Sequence, residues 1–273
     1  MSIRQNRLAL AGAVLLSVLL MIAIFAGQLA PFDPAEQHLR EGLNGPSSHH
    51  LLGQDKLGRD ILSRMIYGSR ISLIVGILVV SISLTIGLSI GSMAGYFGGI
   101  IDEAIMRLVD VFLAFPGILL AIAITAVLGP SLRNVLIALC LMGWVGYARI
   151  IRGQILAVRD LEYVQAAQAN GASPLRIMIR HILPNILAPV IVEATFGMAG
   201  AIIAEAGLSF LGLGIQPPSP SWGSMLAEGR QFLLLAPHLT TFPGLAIMLT
   251  VLGLNFVGDG LRDAMDVRKD RGS

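Results

Sequence analysis

The chain has 273 residues, 55% of them hydrophobic and only 13% charged, with 31 glycines and a single cysteine. In a water-soluble domain about a quarter of the residues carry charge, so this composition points to a bilayer and excludes disordered, coiled-coil, collagen-like and disulfide-stapled classes. Lys and Arg number 19 against 17 Asp and Glu, a near-balance that gives no reason to look for a nucleic-acid partner. Cys140 stands alone and can form no disulfide within the chain.

A helix crossing the hydrocarbon core takes about 20 apolar residues. Six runs qualify: 8–30, 71–95, 104–128, 135–151, 187–210 and 233–258. The first follows Arg4 and Arg7 and is longer than the ~7–15 residues of a signal-peptide core, so it reads as a retained helix. The expected fold is therefore an all-α membrane protein of six transmembrane helices. An orientation with both termini in the cytoplasm leaves only Arg40, Lys56, Arg59, Arg64, Arg70, Arg133 and Arg230 outside, in keeping with the excess of basic residues in cytoplasmic segments. Three parts result: residues 1–30 as tail and first helix, 31–70 as a periplasmic loop, and 71–273 as a five-helix core ending in a cytoplasmic tail.

Within the periplasmic loop, Ile61, Leu62, Met65 and Ile66 recur at helical spacing and predict an interfacial helix. Gly87, Gly91 and Gly95 lie four apart on one face of the second span, the small-xxx-small pattern that lets two backbones approach in lipid. A helix neighbour within the same chain is the expected partner.

Catalytic chemistry is hard to find. The only lysines, Lys56 and Lys269, end no G-x-x-x-x-G-K run, so no phosphate cradle is present. Gly212-Leu213-Gly214 follows an apolar helix and leads into Pro217-Pro218, which does not suit a dinucleotide turn. His49-His50 lie in a Ser/Gly/Pro stretch with no third ligand nearby, so they read as solvated loop and no metal site is expected.

The hydrophilic segment between spans four and five carries more information. Its helix formers run from Asp160 to Asn170 with acidic residues in the first turn, as the helix dipole favours. Gly171 should end that helix, and Ser173-Pro174 should start a second short one, Ser173 as N-cap and Pro174 at the first helical position. Two short helices joined at a glycine are predicted on the cytoplasmic face.

Here the residues resemble a known family. Gln165-Ala166-Ala167-x-x-x-Gly171, followed by His181-Ile182-Leu183-Pro184, is similar to the E-A-A-x3-G-x9-I-x-L-P loop of ABC importer permeases, with Gln165 and His181 replacing its Glu and Ile. The stretches Leu52-Gly53-Gln54-Asp55-Lys56-Leu57-Gly58-Arg59-Asp60, Leu208-Ser209-Phe210-Leu211-Gly212-Leu213-Gly214 and Ser221-Trp222-Gly223 resemble the C-type permease of dipeptide, oligopeptide and nickel importers. The resemblance implies a non-enzymatic subunit of the bacterial cytoplasmic (inner) membrane. Its implied partners are a homologous B-type permease, two ABC ATPase subunits that bind ATP and Mg, and an extracytoplasmic substrate-binding protein, within membrane lipid. It also implies that the loop 152–184 contains the coupling helix seated on an ATPase, with Glu162, Gln165, Ala166, Ala167, Gly171, Pro174, Leu183 and Pro184 as contact residues. No cofactor is implied for this chain.

Charges inside a span cost a few kcal/mol near the bilayer centre and so become functional candidates. Asp110 lies one turn from Arg107 and is expected to pair with it. Glu193 and Glu205 share span five, roughly 18 Å apart along the axis, and both are candidates for the translocation pathway, Glu205 ahead of Glu193. The cytoplasmic arginines Arg149, Arg152, Arg159, Arg176 and Arg180 are available for ATPase acids or lipid headgroups. Peptide is favoured over nickel as cargo because only His181 and His238 lie near predicted spans. A secondary transporter working without ATP is a rival class, but neither inverted repeats nor charged relays are visible.

Overall fold

Hydrophobic length sets the architecture. In the computed structural model, which describes residues 6–269 with side chains to residue 265, five helices are long and apolar enough to cross a bilayer, and six spans result when one bent pair is counted as a single broken span. Arg4 and the side chains of Arg268, Lys269 and Arg271 lie outside the described residues.

Helix α1 (Arg7–Ile24) starts at Asn6, whose Oδ1 accepts from the Leu8 and Ala9 amides at 3.1 and 3.3 Å, and a short turn, α2 (Ala26–Leu29), completes the first apolar run. Helix α3 (Ile61–Phe97) has 37 residues, roughly 55 Å at 1.5 Å each. The expected interfacial helix does not exist as a separate element. Ile61, Leu62, Met65 and Ile66 form the first turns of α3, because Asp60 caps the helix there, its Oδ2 accepting from the Ser63 amide at 2.7 Å.

The third apolar run is broken rather than straight. Helices α4 (Gly99–Leu113) and α5 (Gly117–Leu128) meet at 77°. Pro116 stands at the break, and a proline removes an amide donor and crowds the preceding turn. Helix α6 (Leu132–Val158) is much longer than the run 135–151 suggested. Its cytoplasmic extension carries Arg152, which is paired inside the chain, so polarity there did not end the helix.

Helix α7 (Glu162–Ala169) is the first short helix of the hydrophilic segment. The second, α8 (Pro174–Ile177), is not separate: a π-helical turn, Met178–Ile182, carries it into α9 (Leu183–Phe210), and 174–210 runs as one long helix. The wide turn precedes Pro184, whose ring would crowd the carbonyl four residues back. Helix α10 (Trp222–Gly229) opens with a reciprocal Ser221/Ser224 capping box. Helix α11 (His238–Lys269) begins five residues later than the sixth run predicted, and leaves Leu234 98% exposed in the connection before it.

The centre of the bundle is α3 against α6 and α9, with Val75, Val79, Ala138, Leu139 and Leu208 buried together. The glycine face of α3 finds its neighbour within the chain, as expected. A Cβ at Gly91 would lie 2.5 Å from the Ala148 carbonyl oxygen, and one at Gly95 would lie 2.9 Å from Ile155 Cβ, so the two backbones touch along α6.

Candidate functional site

The loop between α6 and α9 is built around one buried side chain. Val164 is fully buried, and with Ala167 it packs against Ile151, Ile155, Ile177 and Ile182. The rest of α7 faces outward: Glu162, Gln165, Ala166, Gln168 and Ala169 are all exposed. Gln165 Nε2 reaches back to the Asp160 carbonyl at 3.0 Å and so tightens the first turn. Partial burial of Tyr163 pushes its phenol up from the ordinary value.

The helix ends as the sequence indicated. Gly171 has φ +76°, its amide donates to Gln168 O at 2.9 Å, and the Ala172 amide donates to Ala167 O at 3.1 Å. That pair of bonds is the Schellman arrangement, which requires a left-handed residue just past the helix. Nothing lies within 4 Å of the space a Cβ would take at Gly171. The glycine is needed for its backbone hand alone. Ser173 stands at the N-cap position of α8 and Pro174 follows, but the Ser173 side chain makes no capping bond.

The arginines near this loop are less free than expected. Arg152 forms two bonds to Asp102, at 2.9 and 2.6 Å, and Arg159 Nη1 donates to Gly95 O at 2.9 Å. Asp110 pairs with Arg149 at 2.5 Å, not with Arg107, which instead meets Glu103 one turn away at 2.7 Å. These contacts tie the α7 end of α6 to α3 and α4. Arg176 and Arg180 remain exposed. The candidate contact residues therefore divide: Glu162, Gln165, Ala166, Ala167 and Gly171 share one projecting element, Pro174 starts the next, and Leu183 and Pro184 belong to the membrane helix beyond it.

The two glutamates of α9 part company. Glu205, the stronger sequence candidate, is fully buried and faces no passage within this chain. Its Oε1 accepts from Ser209 Oγ at 2.7 Å and from Ser221 Oγ at 3.0 Å, so it fastens the start of α10 to α9. Glu193 is half-buried and lies where two cavities meet, one of about 310 Å³ between α3, α5, α6 and α9, the other of about 850 Å³ between α6, α9 and α11.

At the opposite end of the bundle, sequence reasoning missed a buried ion cluster. Arg59 Nε meets Asp55 at 2.6 Å, and Arg64 reaches Asp55 at 3.3 Å and Glu228 of α10 at 3.2 Å, with Arg59 also on Glu228. The Asp55/Arg59 spacing was visible, but the partner 169 positions away was not. His50, expected to be solvated, joins this end through Asp60 at 2.9 Å. Among the described residues no three His, Cys, Asp or Glu side chains are grouped to hold a metal.

Comparison with known proteins bears on both ends. The family described as binding-protein-dependent transport system inner membrane component matches residues 87–271, and the N-terminal TM domain of oligopeptide transport permease C matches residues 2–46. The chain is 48% identical over 264 residues to the dipeptide transport system permease protein DppC of Alkalihalophilus pseudofirmus, spanning 97% of this chain and 87% of that one. It is 46% identical over 263 residues to the glutathione transport system permease protein GsiD of Pectobacterium atrosepticum, spanning 96% and 87%. In fold it is similar to a chain of the MetNI methionine ABC transporter in an inward-facing conformation, with TM-score 0.61 at 20% identity over 75% of this chain and 97% of that one. The chain belongs to the binding-protein-dependent ABC transport permeases of the inner membrane, in their C-type branch.

Proposed function

We propose that this chain is one of two permease subunits of an ATP-driven peptide importer, forming half of the passage with a homologous B-type permease. Two ATPase subunits hold ATP and Mg and seat on α7, and an extracytoplasmic binding protein delivers cargo to the end that carries the ion cluster. Both termini lie in the cytoplasm. The chain itself binds no cofactor and hydrolyses nothing. The observation that carries this reading is α7: a short helix anchored by Val164, stopped by Gly171 and presenting exposed small and polar residues. A subunit without a phosphate cradle must receive work mechanically, and a helix held at one point with a bare outer face suits a groove in a partner. The relatives named for dipeptide and glutathione support peptidic cargo. Both are peptides with a free α-ammonium group and a carboxylate end.

The test is reconstitution of the chain with its partner permease, ATPases and binding protein in vesicles. Uptake of dialanine or longer peptides should require ATP on the α7 side and the binding protein on the other. Uptake of nickel(II) but no peptide would favour the nickel reading, and uptake without ATP would favour a secondary transporter. Orientation is checked separately with single cysteines at Ser47 and Ser173 in a Cys140→Ser background, which should label from opposite sides with an impermeant thiol reagent.

A further inference from the structure

The cavity of about 310 Å³ is lined mostly by glycine and aliphatic residues, yet three polar side chains from three helices open onto it: Ser83 of α3, Tyr147 of α6 and Glu193 of α9. Two of them are unsatisfied. Tyr147 Oη and Ser83 Oγ are buried without a hydrogen-bond partner, the latter with only the weak thiol of Cys140 beside it, and the residues are 7% and 1% exposed. Buried hydroxyls are normally bonded, so such orphans call for an occupant. Glycines make their positions possible: a Cβ at Gly197 would collide with Tyr147 Oη, and one at Gly143 with Ser83 Oγ. Gly197 follows Glu193 by one turn, and residues four apart share a helix face at about 5–6 Å. The phenol is therefore brought to the same stretch of α9 as the carboxylate. Glu193 is in no salt bridge among the described residues, although a membrane carboxylate usually has a cationic partner; Arg262 lines the second cavity with it but forms no ion pair there.

A carboxylate and two hydroxyl groups opening onto one largely apolar cavity offer a counter-charge and acceptors to an ammonium with three N–H donors. We propose that this chamber holds the free α-ammonium end of the cargo in transit, with Glu193 as its counter-charge and Tyr147 and Ser83 as acceptors. The proposal rests on the peptide reading above and adds the end of the peptide that the permease itself recognises. It also gives Glu193, rather than Glu205, the role of specificity-determining residue.

The assembled complex, without binding protein, is treated with dicyclohexylcarbodiimide, and modification of Glu193 is followed by mass spectrometry of its peptide. Dialanine should slow modification several-fold, whereas N-acetyl-dialanine, which keeps the backbone and the carboxylate but lacks the ammonium, should not. Glu205 serves as the internal control and should show no ligand-dependent change. Equal protection by the two compounds, or by neither, overturns the proposal; the second result is also expected if a cation of the partner permease occupies the chamber. In vesicles, Glu193→Gln should lower dialanine uptake about tenfold, the loss of one charge-assisted bond, while binding-protein affinity and ATPase attachment stay unchanged. Normal uptake by Glu193→Gln overturns the proposal. Should that variant fail to assemble, Tyr147→Phe and protection of the native complex decide. If the native complex imports no peptide at all, the transport reading fails, and protection by dialanine over its acetylated form still decides the ammonium site on its own.

Discussion

The two ends of the bundle solve opposite problems. At the end formed by residues 31–60 and α10, Asp55, Arg59, Arg64 and Glu228 are withdrawn from water into a closed network, with Gln54 bonded to Glu41 and to the Gly58 carbonyl. At the other end, α7 touches the body mainly through Val164 and Ala167 and keeps most of its surface bare. A buried ion network tolerates no missing member, since each charge depends on the others to offset its desolvation. An anchored helix tolerates surface change and is sensitive to direction. One end is therefore closed on itself, the other open on its outer face.

Four substitutions press on that contrast. Arg59→Ala should be the most damaging, because it leaves Asp55 and Glu228 with reduced compensation; losing one partner of a buried pair costs about 3–5 kcal/mol. A thermal melt of the purified complex should show a lowered midpoint, and an unchanged melt would mean that water reaches this cluster. Gly91→Leu comes next. Its side chain would meet the α6 backbone, which cannot rotate away, and overpacking of this kind costs about 1–3 kcal/mol, read as a lowered thermal midpoint and poor insertion of the chain.

Gly171→Val should strain the left-handed turn by about 1–2 kcal/mol without any clash, since the space is open. Such a change is too small to unfold the bundle and is expected to misdirect α7. Insertion and assembly should survive while ATPase attachment weakens or hydrolysis runs without transport, measured by co-purification and vesicle uptake. Normal values for both would reduce the loop to a connector. Gln168→Ala, on the exposed face, should stay within about 0.5 kcal/mol in stability and change uptake little; a large loss would show that this side chain meets a partner directly.

Much of this was legible in the chain. Five of the apolar runs correspond to long helices, because a bilayer leaves a hydrophobic segment little choice but to satisfy its backbone internally. The end of α7 was legible too, since a glycine after helix formers is a local signal and the Schellman bonds involve only neighbours. Helix lengths were less so. Arg149 and Arg152 looked like the end of a span, yet pairing with Asp110 and Asp102 of α4 let the helix continue, and no local rule reports a partner 39 or 50 residues away. The bend at Pro116 carried a signal that hydropathy outweighed.

The sequence by itself determined the solvent, the number of spans and the handed turn at Gly171, all of which depend on composition or on residues within one helical turn. Tertiary structure alone decided the fates of Glu193 and Glu205. Their separation along α9 follows from helix geometry, but which neighbour each one meets depends on where α3, α6 and α10 pack. Ser221 of the α10 cap closes over Glu205, while Gly197 and Gly143 make room for the Tyr147 and Ser83 hydroxyls on the cavity that Glu193 also lines. One carboxylate is thus bound into the scaffold and the other is left facing a cavity.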